Sequence, residues 1–249
     1  MFYWEEKARK NPKIRTSPDI GCDILEKSFI TKFLKKDQTV LDAGSGDGKA
    51  TAYFALKVKK IIALEPSKTL LEGSKRIFKR KKIKNIETIE GSIFDLKTKL
   101  SNKKFDVVIT KRVLINLINW TKQKQAITEI AATLPTGGLY LLTEGFEDTF
   151  NNLQRIRIRY GLSKDHIVKY NHYLDRKKFE KEILKYFSIV DQNNLGIYYF
   201  LSHFYYPLYI KPKKPKYNSK FNKIAVQIGL KEKILEEFGY INFYALKRK

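Results

Sequence analysis

The sequence predicts an α/β protein built on a doubly wound, mostly parallel sheet of seven strands. From about residue 37 to 146, short apolar runs alternate with stretches of helical periodicity, the pattern of successive strand-helix-strand units. The first run, Val40-Leu41-Asp42-Ala43, breaks into Gly44-Ser45-Gly46-Asp47-Gly48, and the next, Ile61-Ile62-Ala63-Leu64, ends in Glu65. A strand, a glycine turn, a helix start and an acid at the tip of the following strand make an edge that holds a nucleoside.

Ahead of the sheet, Ile24, Leu25, Phe29, Ile30, Phe33 and Leu34 recur at helical spacing and predict an amphipathic helix over about 20–35. The first strand covers 39–44 and a helix starts near Gly48. The second covers 60–65 and stops at Pro66, after which Ser67 can cap a helix. The third covers 86–89. The fourth, 105–109, is apolar almost throughout, as suits a strand covered on both faces. A helix over 122–134 aligns Ile127, Ile130, Ala131 and Leu134, stops at Pro135-Thr136-Gly137-Gly138, and leads into a fifth strand at 139–142. Beyond residue 146 the alternation is lost. Helices and loops are expected to about 185, then strands at 187–190 and 241–246. The aromatic segment Tyr198 to Tyr206 is too short to span a membrane, and Lys211-Pro212-Lys213-Lys214-Pro215 reads as a stiff basic loop.

A chain of 249 residues can bury a full core, and 43% hydrophobic content with two Trp, 15 Tyr and 16 Phe excludes a disordered one. The single cysteine, Cys22, excludes an intramolecular disulfide and suits a reducing compartment. The start, Met1-Phe2-Tyr3-Trp4-Glu5-Glu6, is acidic where a secretory leader is basic, so the expectation is a soluble, cytoplasmic protein. Net charge is +24, from 50 Lys and Arg against 26 Asp and Glu. That excess suits nucleic acid, an anionic membrane face or an anionic lipid-linked substrate, or else a merely well-solvated surface. The basic residues are scattered, so charge alone does not choose.

Spacing narrows the nucleoside. A dinucleotide fingerprint needs its third glycine three residues after the second; here Gly48 comes two after Gly46, and Lys49 is the third. A phosphate-cradling loop needs Ser or Thr after Gly-Lys, where this chain has Ala50. Asp42 at the entrance to the turn repels a pyrophosphate but suits a cationic ligand. S-adenosylmethionine carries an ammonium and a sulfonium, its carboxylate can meet the N–H groups of the turn, and Glu65 can accept both ribose hydroxyls.

At this point the chain resembles the class I S-adenosylmethionine-dependent methyltransferases, whose first motif is Asp/Glu-x-Gly-x-Gly-x-Gly. The resemblance covers about residues 37 to 146 and implies a Rossmann-like methyltransferase fold. It implies cofactor contacts at Asp42, Gly44, Ser45, Gly46, Gly48, Glu65, Pro66, Ser92, Ile93 and Thr110. Ser92 stands where the family often has Asp at adenine. Phe105-Asp106-Val107-Val108 resembles the fourth-strand motif, and Leu134 to Gly138 the turn before strand five. The implied organisation is an N-terminal helical segment or lid (1–36), a cofactor-binding core (37–146), a substrate-binding elaboration with the sixth strand (147–235) and a final strand (236–249).

Several acceptor classes leave marks that are absent. Thr110-Lys111-Arg112 ends strand four in place of the Asn/Asp-Pro-Pro-aromatic tetrapeptide of base-amine enzymes, and Cys22 lies before the sheet, away from a cytosine-5 nucleophile position. Ribose 2′-hydroxyl enzymes carry an acid at the end of strand four, and none stands here. Glu144 and Glu147 are too close together for an arginine-gripping loop. Thr110 to Leu117, Trp120, Tyr3-Trp4, Leu153 to Leu162 and Tyr170-Asn171-His172-Tyr173-Leu174-Asp175 resemble a bacterial and viral subgroup found with glycan-assembly enzymes. That implies O-methylation of a sugar in a glycan or polysaccharide precursor, anionic or lipid-linked acceptors included. Transfer to a sugar hydroxyl needs alignment and a base titrating near neutrality. Of His166, His172 and His203, His172 lies in the resembling segment and is the candidate base, with Glu144 the alternative. Arg112, Arg157, Tyr170, Asn171 and Tyr173 are the candidate acceptor contacts. No cluster has metal-ligand spacing, so a metal-free reaction is expected. An RNA or tRNA methyltransferase using the basic surface, or a basic binding module on an inactive scaffold, are the competing readings.

Overall fold

In a computed structural model, residues 2–11, 14–101, 103–164, 170–210 and 217–249 are described. Seven strands form one sheet: β1 (Thr39–Ala43), β2 (Lys60–Glu65), β3 (Ile86–Glu90), β4 (Val107–Lys111), β5 (Leu139–Gly145), β6 (Phe187–Asn194) and β7 (Ile241–Arg248). Their order is β3-β2-β1-β4-β5-β7-β6. The first five are parallel, and β7 inserts antiparallel to both β5 and β6. The helices are α1 (Phe2–Lys10), α2 (Ile20–Thr31), α3 (Lys49–Phe54), α4 (Lys68–Arg80), α5 (Leu96–Leu100), α6 (Trp120–Thr133), α7 (Glu147–Arg159), α8 (Arg176–Ile183), α9 (Gly196–Tyr199), α10 (Tyr206–Ile210) and α11 (Lys220–Gly229), with a π-helical turn at Phe200–Tyr205.

Successive strand residues face opposite layers, which is why the strands are apolar throughout rather than alternating. Leu41, Ile62, Val108 and Leu142 pack with Leu96, Ile127, Ile130 and Phe179 on one side. Val40, Ile61, Val107 and Leu141 pack with Leu25, Phe29, Tyr198 and Ala225 on the other. Each such side chain, removed from water, contributes roughly 1.5–3 kcal/mol of transfer free energy. Winding reverses between β1 and β4, and the crevice beyond their carboxyl ends is where open α/β sheets bind ligands.

Several boundaries differ from the sequence expectation, β6 running to Asn194 and β7 to Arg248 among them. β4 starts at Val107, just after Asp106, whose carboxylate accepts the Thr39 N–H at 2.7 Å. β5 runs on to Gly145, since β7 pairs with it from Leu139↔Lys247 to Gly145↔Ile241. α2 ends at Thr31, whose hydroxyl bonds back to Lys27 O. The basic loop at Lys211–Pro215 and His166 lie outside the described residues. No helix among the described residues is long and apolar enough to cross a membrane.

Candidate active site

The turn after β1 is a glycine-rich cradle. Gly44, Gly46 and Gly48 all have left-handed backbone, with φ of 82°, 57° and 72°. A Cβ on Gly46 would stand 2.8 Å from Thr16 Oγ1, and one on Gly44 would stand 2.5 Å from Val113 Cγ2. The Gly44 and Ser45 N–H groups donate to Leu64 O at 2.8 and 3.0 Å, tying the turn to β2. Asp42 is buried beneath it and accepts from Thr51 Oγ1 at 2.6 Å; burial raises its pKa to about 6. The Glu65 carboxylate accepts the Gly46 N–H at 2.8 Å and the Ser67 N–H at 2.9 Å. Burial raises its pKa to about 7, partly offset by those two bonds and reinforced by Asp42 and Glu5. Pro66 follows at the strand tip. Ser92 caps the turn Ile93–Asp95, accepting from Phe94 N–H at 3.0 Å, while Ile93 is buried beside the end of β3.

The N-terminal segment lies across this edge. Glu5 accepts from Ser67 Oγ (2.6 Å), Thr69 Oγ1 (2.8 Å) and Thr69 N–H (3.1 Å), so an acid from α1 supplements Ser67 at the start of α4. The Ser67 hydroxyl bond, with those to Thr69, holds Glu5 at about 2, well below an ordinary glutamate. Trp4 Nε1 donates to Asn116 Oδ1 at 3.2 Å, and the Tyr3 and Tyr170 rings lie 3.6 Å apart. α1 therefore bridges the cofactor side and the acceptor side of the crevice.

Beneath it sits a charged network. Arg112, at the tip of β4, is left-handed (φ 56°), an uncommon conformation for a residue with a Cβ. Its Nη2 donates to Ser17 Oγ at 2.6 Å, and its Nε stands 3.1 Å from Glu26. Lys111 reaches Asp23 at 2.6 Å and Glu26 at 3.1 Å, and Thr143 Oγ1 donates to Glu26 at 3.0 Å. Burial alone would raise Asp23, but Lys111 and Lys27 outweigh it and hold the carboxyl at about 2.

On the acceptor side, a cavity of about 440 Å³ opens between the start of α6, the start of α7 and the segment before α8. Asn119, Gln123, Glu147, Asn171, His172 and Tyr173 line it, with Trp120 and Phe150 adding apolar surface. The His172 backbone is pinned, its N–H donating to Ile115 O at 2.6 Å and its carbonyl accepting from Gln123 Nε2 at 2.8 Å. Tyr173 packs on Phe150, ring centroids 4.6 Å apart, above Gly145.

Three expected site residues are turned elsewhere. Glu144 is completely buried and accepts the Val113, Leu114 and Ile115 N–H groups at 2.8, 2.9 and 3.2 Å. It anchors the loop after β4 and does not face an acceptor, although burial lifts its pKa to about 7 against those three bonds. Arg157 is buried and donates to the Ser163 carbonyl (2.9 Å from Nη2) and the His203 carbonyl, holding the end of α7 to the π turn. The Thr110 hydroxyl bonds Tyr140 Oη at 2.9 Å inside the sheet layer, where the residue is wholly buried. Sequence reasoning missed Glu5, Thr16, Ser17, Asp23 and Glu26, which lie before the sheet without motif spacing, and the cavity amides Asn119, Gln123 and Asn151. Among the described residues no three His, Cys, Asp or Glu side chains gather as metal ligands.

A seven-stranded sheet with one antiparallel insertion and a glycine-rich turn facing an acid defines a nucleoside-binding methyltransferase edge. The family described as a methyltransferase domain matches residues 34–186, and the chain belongs to it. An uncharacterized methyltransferase of Schizosaccharomyces pombe is 33% identical over 98 residues, 36% of this chain and 34% of that protein. The PH0226 protein from Pyrococcus horikoshii shares the fold with a TM-score of 0.64 at 15% identity, covering 98% of this chain and 99% of that one. The phosphoethanolamine N-methyltransferase 1 of Haemonchus contortus, solved with phosphoethanolamine and S-adenosylhomocysteine, aligns with a TM-score of 0.61 at 14% identity, over 99% of this chain and 47% of that one. The curated relatives are matched over only 25% to 63% of their own length.

The cofactor is S-adenosylmethionine, and the edge fits it. Ser45 Oγ is buried with no hydrogen-bond partner, the Gly46 backbone has no room for a side chain beside Thr16, and Glu65 keeps acceptor lone pairs beyond its two backbone bonds.

Proposed function

We propose that the chain transfers a methyl group from S-adenosylmethionine to a hydroxyl of a sugar-containing acceptor. The observation that supports this most is the cavity between the starts of α6 and α7, where Asn171, His172 and Tyr173 share a lining with Asn119, Gln123 and Glu147. Amides, a carboxylate and aromatic faces are the chemistry that holds a polyhydroxylated ring, in which each hydroxyl both donates and accepts.

In this reading Gly44 to Gly48 and Ser45 receive the methionine end of the cofactor and Glu65 its ribose. Bound there, the cofactor supplies a methyl on cationic sulfur. Glu5, Trp4 and Thr16 close over the edge and exclude water. Asn171 and Tyr173 would orient the acceptor, and His172 would take the proton from its hydroxyl while the methyl leaves the sulfur, giving the methyl ether and S-adenosylhomocysteine. Arg112, held by Ser17 and Glu26, and Tyr170, packed on Tyr3, are not in the cavity lining.

The test is transfer of labelled methyl to a panel of nucleotide-linked and lipid-linked sugars, with a bulk RNA as comparison. Incorporation into sugar, lost in His172→Ala while S-adenosylhomocysteine still binds, is the expected result. The net charge of +24 favours RNA as the second reading; labelling of RNA alone would establish it and remove the sugar assignment.

A further inference from the structure

We propose that the face built by the end of α7, the π turn, α10 and α11 docks on an anionic lipid surface. The sequence carries no Asp or Glu from Thr149 to Lys164, nor from Gln192 to Lys231. The fold brings these two acid-free stretches together, with Tyr160 at the end of α7 packed edge-on against Phe204 of the π turn, ring centroids 5.4 Å apart. Tyr205 stacks on Tyr209 at 5.2 Å and lies parallel to Phe221 of α11 at 6.0 Å, so the aromatic row continues from one helix to the next.

What this face shows to solvent is apolar and cationic together. Tyr209 is 74% exposed and Ile224 58%, with Ile158, Tyr160 and Ile210 also exposed. Around them Arg155, Arg159, Lys164, Lys220 and Lys223 are exposed. Tyrosines at an interface, aliphatic side chains free to enter acyl chains, and lysines on long stems match an anionic bilayer surface. Phosphates of RNA would meet the same cations and its bases could stack on the tyrosines, but the outward Ile158, Ile210 and Ile224 have no counterpart in RNA, which favours lipid over RNA. Residues 211–216 lie outside the described residues and are not counted in this face.

The proposal stands apart from the methyl-transfer reading, because its readout is partitioning. The full chain is sedimented with phosphatidylcholine vesicles and with vesicles containing phosphatidylglycerol, at rising salt, and titrated against an RNA oligomer. Binding is expected to the anionic vesicles only, weakening with salt. Tyr209→Ser, Ile210→Ser and Ile224→Ser together should lower partitioning at least about tenfold. Lys220→Gln and Lys223→Gln should each lower it about fivefold. S-adenosylhomocysteine affinity, unchanged in every variant, shows that the fold is intact. No binding to anionic vesicles, equal binding to neutral ones, or partitioning untouched by the serine substitutions would overturn the proposal. So would RNA binding in place of vesicle binding.

Discussion

Glu65 Oε2 accepts the Gly46 N–H at 2.8 Å, so the acid at the tip of β2 fastens the middle of the glycine turn that follows β1. The same carboxylate takes the Ser67 N–H at the start of α4. One side chain thus fixes two loops, and each of its oxygens keeps a lone pair beyond those two bonds.

Glu65→Gln should therefore weaken S-adenosylhomocysteine binding by about tenfold to a hundredfold. It replaces a charged acceptor of two backbone donors with an amide that has only one oxygen, and bonds to charged groups are worth about 1.5–3 kcal/mol. Calorimetric titration checks this. An unchanged Kd would remove Glu65 from the cofactor contacts.

Gly46→Ala should abolish cofactor binding while leaving a folded chain. The left-handed backbone disfavours any Cβ, and this one would press on Thr16. Circular dichroism and calorimetry on the same sample separate the two effects.

Stability of the cofactor-free chain should fall as pH rises from about 4 to 7. Asp42, Glu65 and Glu144 are buried, with folded pKa values of about 6, 7 and 7. All lie above their unfolded values, so the folded chain binds more protons in that window and the slope of unfolding free energy with pH is negative. Below the unfolded pKa values the contribution is fully present. Asp23, held at about 2, acts oppositely: its stabilisation is present above about 4 and is lost as pH falls toward 2. Melting temperatures across pH 4 to 8 test the sign, and Glu65→Gln should flatten part of the decline.

Glu5→Ala should loosen α1. Ser67 and Thr69 lose their shared acceptor, leaving Trp4 and Tyr3 as the remaining ties across the crevice. Faster amide exchange in α1 and faster cofactor release are expected, with exchange in β1 and β4 unaltered. Slow exchange retained in α1 would show that the aromatic contacts alone hold it.

Glu144→Ala should act on stability more than on chemistry. It strands three backbone donors in a dry site, at about 1–3 kcal/mol for each donor left unsatisfied. His172→Ala touches an exposed side chain and should leave the urea midpoint in place. A midpoint shift in the second variant and none in the first would reverse these assignments.

Periodicity and turn chemistry are local properties, and they made β1 with its glycine turn, β2 with Glu65, and the strand-helix alternation legible in the sequence. Left-handed glycines and a two-residue glycine spacing constrain the backbone whatever surrounds them, which is why the cofactor could be read from nine residues. Side-chain direction after β4 depends on partners far along the chain. Glu144 looks like an exposed strand-tip acid until the Val113–Ile115 turn folds onto it, and Arg157 looks like a helix-surface base until the Ser163 and His203 carbonyls meet it. Glu5 reaches Ser67 across 62 positions and Glu26 reaches Arg112 across a longer gap, contacts that carry no spacing signal. The sequence by itself determined the sheet, the turn and the methyl donor, because those follow from backbone geometry. Only the tertiary structure decided which acids and cations are spent on holding loops and which are left to face a ligand, because that depends on desolvation and on partners supplied by distant elements.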